Sequence, residues 1–201
     1  MPRKLLLRDG RAVDDEWTYL PAADGPMHET ASSGAAAAAP AGSVILTLDR
    51  WMNDKSSWCA PQRPPWIVRL GVALSPADKV EMLAPDVARF ELIAALFPGP
   101  SDGRGYTQGR LLRERYGFGG ELRAAGYVRR DQLFFLARCG FDSFELPESE
   151  FGDAGRALAT FSAEYQPSND AGLAHQLPRR ETLSGTGRFK PSPAVSSAPR
   201  R

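Results

Sequence analysis

Apolar residues occur in short runs separated by polar, glycine-rich or proline-rich stretches, and this pattern predicts strands alternating with helices. Five runs have the length and apolar content of buried strands: 43–48, 66–74, 90–97, 120–125 and 141–146. The run 90–97 is continuous, so its periodicity fits a buried strand or a helix. Its length and the Pro-Gly-Pro that follows it favour a strand.

Helical patterns follow most of these runs. Predicted helices cover 49–57, a segment beginning at Ser75, 106–116, 129–139 and a last stretch with the stripe Ala154, Leu158, Phe161 and Tyr165. Ser75 is a suitable N-cap, and Pro76 suits the first helical position. In helix 106–116, Thr107, Leu111, Leu112 and Tyr116 are expected on the inner face, and in helix 129–139, Leu133, Leu136 and Ala137.

Alternation of about five strands with helices predicts an α/β fold with a parallel sheet. The pattern fits either an open flavodoxin-like sheet or a partial TIM-like barrel. The α/β domain is expected to span 43–165.

The segments outside this domain differ in character. Residues 1–20 predict an N-terminal β-hairpin docked on the core, with a turn at Asp9-Gly10, a second arm running through Val13 to Leu20, and Trp17 as anchor. Residues 21–42 form an Ala/Gly/Pro-rich linker. Residues 166–201 contain almost no large apolar side chains, which predicts a disordered tail.

Composition narrows the class of protein. With 201 residues, 42% of them hydrophobic, and no apolar stretch long enough for a signal or membrane-spanning segment, the chain is expected to be a soluble cytoplasmic protein. The net charge of +1 gives no global attraction to nucleic acid or membranes. Cys59 and Cys139 lack the spacing of a disulfide framework or a metal site.

Positive charge is nevertheless concentrated in one part of the chain. Residues 104–138 include eight arginines and only three acidic residues. This excess indicates an anion-binding or acidic-partner surface, although a solvated helix surface gives the same pattern.

The loop between the third predicted strand and the next helix is the strongest candidate for a site. Pro98 to Gly105 can continue neither strand nor helix, and it places Asp102 and Arg104 just before a helix start. Backbone N–H groups, the helix dipole and Arg104 would favour an anion there, helped by Arg130. The alternative is that Asp102 and Arg104 cap and staple the loop itself.

Ligands of parallel sheets bind at the carboxyl ends of the strands, so loops after strands three, four and five are expected to share one edge. We therefore predict an anion- or partner-binding set. Its members are Asp102, Gly103, Arg104, Gly105, Tyr106, Arg110, Arg113, Arg123, Gly126, Arg130, Asp131, Gln132 and Glu145.

Catalytic patterns are sparse, and no catalytic residue, cofactor or metal is assigned. Gly103, Gly105 and Gly109 outline a dinucleotide loop, but the next strand ends in Ala-Ala-Gly where a ribose-binding acid is expected. His28 and His175 lie in the linker and the tail, so a histidine base is not expected. Cys139 is expected to be a packed core thiol, and Asp131 and Glu145 are expected to pair with arginines.

Several motifs between 102 and 146 together resemble one bacterial family. These are Asp102-Gly-Arg-Gly-Tyr-Thr107, Leu111-Leu-Arg113, Gly120-Glu-Leu-Arg123, Arg130-Asp-Gln-Leu133 and Gly140-Phe-Asp142. The chain resembles the family of unknown function 934 (DUF934), often described as probable oxidoreductases of sulfite reduction, from the hairpin to about Gln166. It departs from the family at Gly99-Pro-Ser101, where a Phe and a Lys-like residue are usual, and at Tyr127, where an Asp is usual.

The resemblance implies a role beside assimilatory sulfite reductase without defining a reaction. One hypothesis is an accessory or electron-transfer partner of sulfite reductase, or of another sulfur-assimilation protein, whose arginine-rich edge meets an acidic surface or sulfite. The other is an α/β enzyme, an oxidoreductase linked to sulfite reduction or a nucleotide-dependent enzyme, acting on a small anionic or phosphorylated metabolite.

Overall fold

A computed structural model of the chain describes residues 4–7, 9–20, 42–59, 63–65 and 67–158. These residues form eight strands and five α-helices, with short 3-10 helices at Val80–Leu83, Val87–Arg89, Arg130–Gln132 and Glu148–Glu150. The strands are β1 (Lys4–Leu7), β2 (Ala12–Asp14), β3 (Trp17–Tyr19), β4 (Gly42–Thr47), β5 (Ile67–Leu74), β6 (Leu92–Phe97), β7 (Glu121–Gly126) and β8 (Ser143–Glu145). The helices are α1 (Leu48–Asn53), α2 (Lys55–Trp58), α3 (Arg104–Glu114), α4 (Leu133–Arg138) and α5 (Phe151–Leu158).

One mixed sheet contains all eight strands in the order β2-β1-β8-β7-β6-β5-β4-β3. The α/β class is confirmed, and each of the five predicted strands is present as one of β4 to β8. These five lie side by side, parallel and in chain order, so the sheet is not flavodoxin-like. It also has more strands than predicted, because β3 adds a sixth parallel strand and the β1–β2 hairpin adds two antiparallel ones.

The sheet curls strongly. In a flat sheet β3 and β8, which are separated by four strands, would lie roughly 24 Å apart at the usual spacing of about 4.8 Å. Yet the Tyr19 hydroxyl on β3 donates a hydrogen bond of 2.8 Å to Glu145 Oε1 on β8. Only Asp15 and Glu16 connect β2 to β3, so the two edges of the sheet also lie close together. Of the two predicted alternatives, an open flavodoxin-like sheet and a partial TIM-like barrel, the curled sheet resembles the second more.

The predicted N-terminal hairpin is correct in its first half and wrong in its second. Leu5 pairs with Val13 across an Asp-Gly turn in which Gly10 has φ of 85°. The second arm does not continue to Leu20, however, since the chain leaves β2 and places Trp17 on the opposite edge beside β4. Trp17 is buried as predicted, and the guanidinium of Arg69 stacks on its ring at 4.6 Å.

Two apolar clusters cover the two faces of the sheet. The larger one contains outer-face strand residues together with helix residues such as Trp51, Leu112 and Leu133. The smaller one contains only strand residues: Trp17, Ile45, Ala73, Leu92 and Ala94. It therefore lies inside the curl. Arg123 pairs in register with Ala94 and so shares this inner face.

The helix predictions had mixed outcomes. Leu133, Leu136 and Ala137 are buried on α4, and Gly140, with φ of 97°, follows it as a stop. The helix predicted from Ser75 is wrong, because the chain forms a turn in which the Ser75 N–H donates to Asp78 Oδ2 at 2.7 Å. Gly42, predicted as the end of the linker 21–42, begins β4. The rest of that linker, the tail, Phe161 and Tyr165 lie outside the described residues.

Helix α3 packs on the sheet through small residues. Its buried positions are Gly105, Gln108, Gly109 and Leu112. Of the predicted inner face, Leu112 is buried and Leu111 and Tyr116 are partly buried against the core, whereas Thr107 is exposed. A Cβ at Gly105 would lie 2.5 Å from the Phe97 ring, and one at Gly109 would overlap the Phe141 ring. Since aromatic rings fill the space beside both glycines, close helix–sheet packing explains them without a bound nucleotide.

We expect Gly109→Ala to destabilise the protein by about 1–3 kcal/mol. Phe141 is fully buried and has no room to move, and this strain outweighs the helix propensity that alanine adds. Urea unfolding followed by circular dichroism measures the effect. Gly119→Ala is the control, because a Cβ there meets nothing within 4 Å. Equal midpoints for the two variants would contradict close packing at Gly109.

Candidate functional site

The loop before α3 is closed by its own charged pair. Arg104 donates from Nε to Asp102 Oδ1 at 3.0 Å and from Nη2 to Oδ2 at 2.7 Å, and its backbone N–H donates to Oδ1 at 3.2 Å. This hydrogen bonding lowers the pKa of Asp102 and raises that of Arg104. The arrangement favours the loop-staple alternative, since a bound anion would have to displace Asp102.

Gln108 ties α3 to the loop after β5. Its Nε2 donates to the carbonyl oxygens of Ser75 at 2.8 Å and Asp78 at 3.0 Å. Gln108 was not among the predicted residues, because a glutamine in a helix gives no local signal that its amide holds a loop 30 or more positions away.

Tyr106 lies in the first turn of α3 and packs on the end of β6. Its ring contacts Phe97 edge-on, with centroids 5.4 Å apart. Burial, and secondarily the charges of Cys139 and Asp131, raises the pKa of Tyr106 to about 12. The phenol therefore remains protonated at neutral pH, so it can donate a hydrogen bond but does not act as a base.

The segment after β7 is bonded to the segment that leads into α5. Arg129 Nη1 donates to Glu150 Oε1 at 2.7 Å, the Arg130 N–H donates to Glu150 Oε2 at 2.8 Å, and Arg130 Nη1 lies 3.3 Å from Asp153 Oδ2. The hydrogen bond from Arg129 is the main reason that the pKa of Glu150 is lowered. Arg130 was predicted for this edge, but its carboxylate partners were missed because they come 20 or more positions later.

Gln132 organises the same segment, because its Oε1 accepts the Arg129 N–H at 2.9 Å. Gly126, with φ of 93°, makes the turn out of β7, and the Tyr127 N–H then donates to the Phe97 carbonyl at 2.6 Å. The guanidinium of Arg129 stacks 4.8 Å from the Tyr127 ring. Tyr127 therefore supports an arginine of the edge.

Two open cavities adjoin this segment and share Arg130, Asp131 and Asp153. One of about 530 Å³ lies against Phe134, Phe135, Arg156 and Ala157, and the other, of about 390 Å³, against Tyr127, Arg129, Ser149, Glu150 and Gly152. We call the rim formed by Tyr127, Arg129, Arg130, Asp131, Phe135, Glu150 and Asp153 the carboxyl edge. It stands at the carboxyl ends of β7 and β8, where ligands of parallel sheets bind.

Three other predicted arginines, Arg110, Arg113 and Arg123, lie away from the carboxyl edge. Arg110 pairs with Glu114 at 2.9 Å on the exposed side of α3. Arg113 donates from Nε to the Gly140 carbonyl at 2.9 Å and from Nη1 to the Gly120 carbonyl at 3.0 Å, and also bonds the Phe118 carbonyl and the Asp142 carboxylate. It joins α3 to the strands and holds no free donor face for a ligand.

Arg123 lies inside the curl, with a side chain that is 1% exposed. Its Nη1 is 3.0 Å from Asp15 Oδ1 and 3.9 Å from Glu145 Oε1, and its Nη2 is 2.9 Å from Glu121 Oε1. Ser143 Oγ donates to the same Glu121 oxygen at 2.6 Å. Arg123 and Glu145 therefore belong to an interior cluster rather than to the carboxyl edge.

The described residues include no group of three or more His, Cys, Asp or Glu side chains arranged to hold a metal ion. None of the helices in this part of the chain has the length and apolar character needed to span a membrane. Both histidines lie outside the described residues.

Comparison with known proteins assigns the chain to a family. No curated protein matches the chain. A family model, described as a bacterial protein of unknown function, matches residues 71–175, which include the second half of β5, β6 to β8, α3 to α5 and the whole carboxyl edge. The chain therefore belongs to the bacterial family of unknown function DUF934.

Proposed function

We propose that this protein is an accessory or electron-transfer partner of sulfite reductase in assimilatory sulfite reduction, and that it meets its partner through the carboxyl edge. The sulfite-reduction role rests on what the family resemblance implies. The choice of a protein partner rests on the chemistry of the edge.

The pairing of the edge arginines carries this choice. Arg129 and Arg130 each bond a carboxylate at 2.7–3.3 Å, and Arg104 on the neighbouring loop does the same. A small anion would have to break such a pair. A protein surface can instead add contacts to paired charges, and Phe135, whose ring is 54% exposed beside them, supplies an aromatic anchor.

A deletion strain is expected to grow poorly on sulfate or sulfite and normally on cysteine. Equal growth on all three sulfur sources would contradict a role in sulfite reduction. In the deletion strain, the Phe135→Ser gene should fail to restore growth on sulfate, because the variant lacks the anchor. The Val68→Ser gene should restore growth, since Val68 is equally exposed but lies near the amino end of β5.

A direct binding measurement tests the carboxyl edge as the contact surface independently of the role in sulfite reduction. Calorimetric titration with purified sulfite reductase should show that Phe135→Ser weakens binding at least tenfold, a loss typical of an interface hot spot. Tight binding by Phe135→Ser, together with the sulfur phenotype of the deletion strain, would keep the role and reject this surface.

A second candidate is an enzyme that acts on a small anionic or phosphorylated metabolite at the same edge. It is favoured by the two cavities, whose volumes fall in the range of ligand pockets and whose place is usual for active sites of parallel sheets. The absorption spectrum of the purified protein discriminates: a flavin band favours an enzyme with its own redox centre, and a bare spectrum favours the accessory role.

A further inference from the structure

Helices α4 and α5 pack against each other and leave an open groove at the carboxyl edge. The larger of the two cavities, about 530 Å³, occupies this α4–α5 groove, and its lining comes from α5, α4 and the 3-10 helix that precedes α4. Three apolar residues, Phe134, Phe135 and Ala157, line it together with two arginines and two aspartates. A groove of this composition can hold an apolar side chain and pair charges at the same time.

Phe135 is an exposed aromatic ring beside this cavity. Among the described residues, three large apolar side chains are exposed, and Phe135, at 54%, is the aromatic one. The neighbouring Phe134 is only 6% exposed, and the two rings are in edge-on contact with centroids 5.4 Å apart. The same patch therefore offers an apolar side chain to insert and a space that can receive one.

The charges that line the groove balance, so its net charge favours neither an acidic nor a basic partner. Arg130 contacts Asp153 through Nη1 at 3.3 Å, and its Nε and Nη2 donors have no acceptor among the described residues. Asp131 is exposed, and in the described part of the chain it accepts no hydrogen bond and forms no ion pair. The groove thus carries an available cation and an available anion side by side.

A second copy of the chain supplies the complement of both charges. In a two-fold dimer, if residue i of one copy meets residue j of the other, then j also meets i. A two-fold axis beside Arg130 and Asp131 would set each arginine opposite the aspartate of the other copy, where the Nε–Nη2 edge can hold a carboxylate through two parallel hydrogen bonds. Phe135 follows Asp131 by four positions, about one helical turn, so it lies on the same side of its helix as the aspartate.

We propose that the α4–α5 groove is the interface of a two-fold homodimer. Arg130 of each copy pairs with Asp131 of the other, and Phe135 of each copy enters the groove of the other. The dimer does not rest on the role in sulfite reduction, because it needs this chain alone. Its regulatory consequence does rest on the proposed function: each copy covers the Phe135 of the other, so the dimer and the complex with sulfite reductase exclude each other.

Sedimentation velocity of the purified full chain, over a series of protein concentrations, tests the dimer. We expect a reversible equilibrium between monomer and dimer in the wild type. Phe135→Ser should raise the dissociation constant of the dimer at least tenfold, a loss typical of an interface hot spot. Val68→Ser is the matched control and should dimerise like wild type, because it removes a comparably exposed apolar side chain near the amino end of β5.

Charge reversal tests the reciprocal ion pairs. Arg130→Asp and Asp131→Arg should each weaken the dimer at least tenfold, because each variant sets like charges opposite each other at both contacts. An equimolar mixture of the two variants should form a heterodimer, since every contact then joins an arginine to an aspartate. The control mixture is Arg110→Glu with Glu114→Arg, which changes the net charges equally on an exposed pair of α3. These two variants should dimerise like wild type, alone and mixed alike.

Three results would overturn the proposal. The first is a wild-type chain that stays monomeric at every concentration. The second is a dimer that persists unchanged in Phe135→Ser and in both charge reversals, because it would use another surface. The third is the same loss and rescue in the control pair, which would show an effect of net charge alone. None of them alters the growth phenotype of the deletion strain, so failure of the dimer and failure of the role in sulfite reduction are distinguishable.

Discussion

Arg123→Met is expected to destabilise the folded protein by about 3–5 kcal/mol, because it leaves Asp15, Glu121 and Glu145 crowded inside the curl without their cation. Urea unfolding at neutral pH measures the loss. Arg110→Met is the matched control, since it breaks an exposed pair on α3 that contributes little to stability.

A double-mutant measurement distinguishes charge burial from lost packing. Asp15→Asn should restore part of the stability of Arg123→Met, although it is destabilising by itself, because the two residues are directly coupled at 3.0 Å. A loss in Arg123→Met that is the same with and without Asp15→Asn would contradict the electrostatic account.

Arg113→Met is expected to lower the Tm by roughly 10 °C, which corresponds to about 3–5 kcal/mol for a chain of this size. The variant leaves the carbonyls of Phe118, Gly120 and Gly140 and the carboxylate of Asp142 without their shared donor. Arg113→Lys should recover only a small part, because one ammonium cannot reproduce the planar array of donors.

Arg110→Met, three positions earlier on the same helix, again controls for the loss of an arginine from α3. Sulfur-dependent growth gives a second test. At a temperature where Arg113→Met remains folded, it should complement the deletion strain like wild type. Failure to complement by a fully folded Arg113→Met would mean that Arg113 also serves the partner surface.

The sequence was sufficient for the five parallel strands β4 to β8, because each is an apolar run bounded by glycine, proline or a cap, and such runs do not depend on distant partners. It failed at Ser75, where serine and proline suggested a helix start but Asp78 captures the Ser75 N–H and forms a turn. It also missed Gly105 and Gly109 on the inner face of α3, because a hydrophobic pattern does not register residues that are buried for lack of a side chain.

The location of the candidate site could be predicted from the sequence, but the ion pairs within it could not. That the loops after β6 and β7 lie at one edge follows from parallel strands, and Arg130 is found there. Which carboxylate each arginine meets does not follow, because Arg129 and Glu150 are 21 positions apart and Arg123 and Asp15 are 108 apart. Composition counts such charges without showing which are buried, so Arg113 and Arg123 were grouped with surface arginines.

The joining of the first strands to the last has a consequence for biosynthesis. Leu5 pairs with Glu145, and Tyr19 and its hydrogen-bond partner Glu145 are 126 positions apart. At roughly 5–20 residues per second, β1 and β3 emerge from the ribosome on the order of ten seconds before β8 exists. Sheet closure therefore waits until β8 has been synthesised, and in that interval the apolar residues of β1 lack the strand that covers them and are exposed to aggregation.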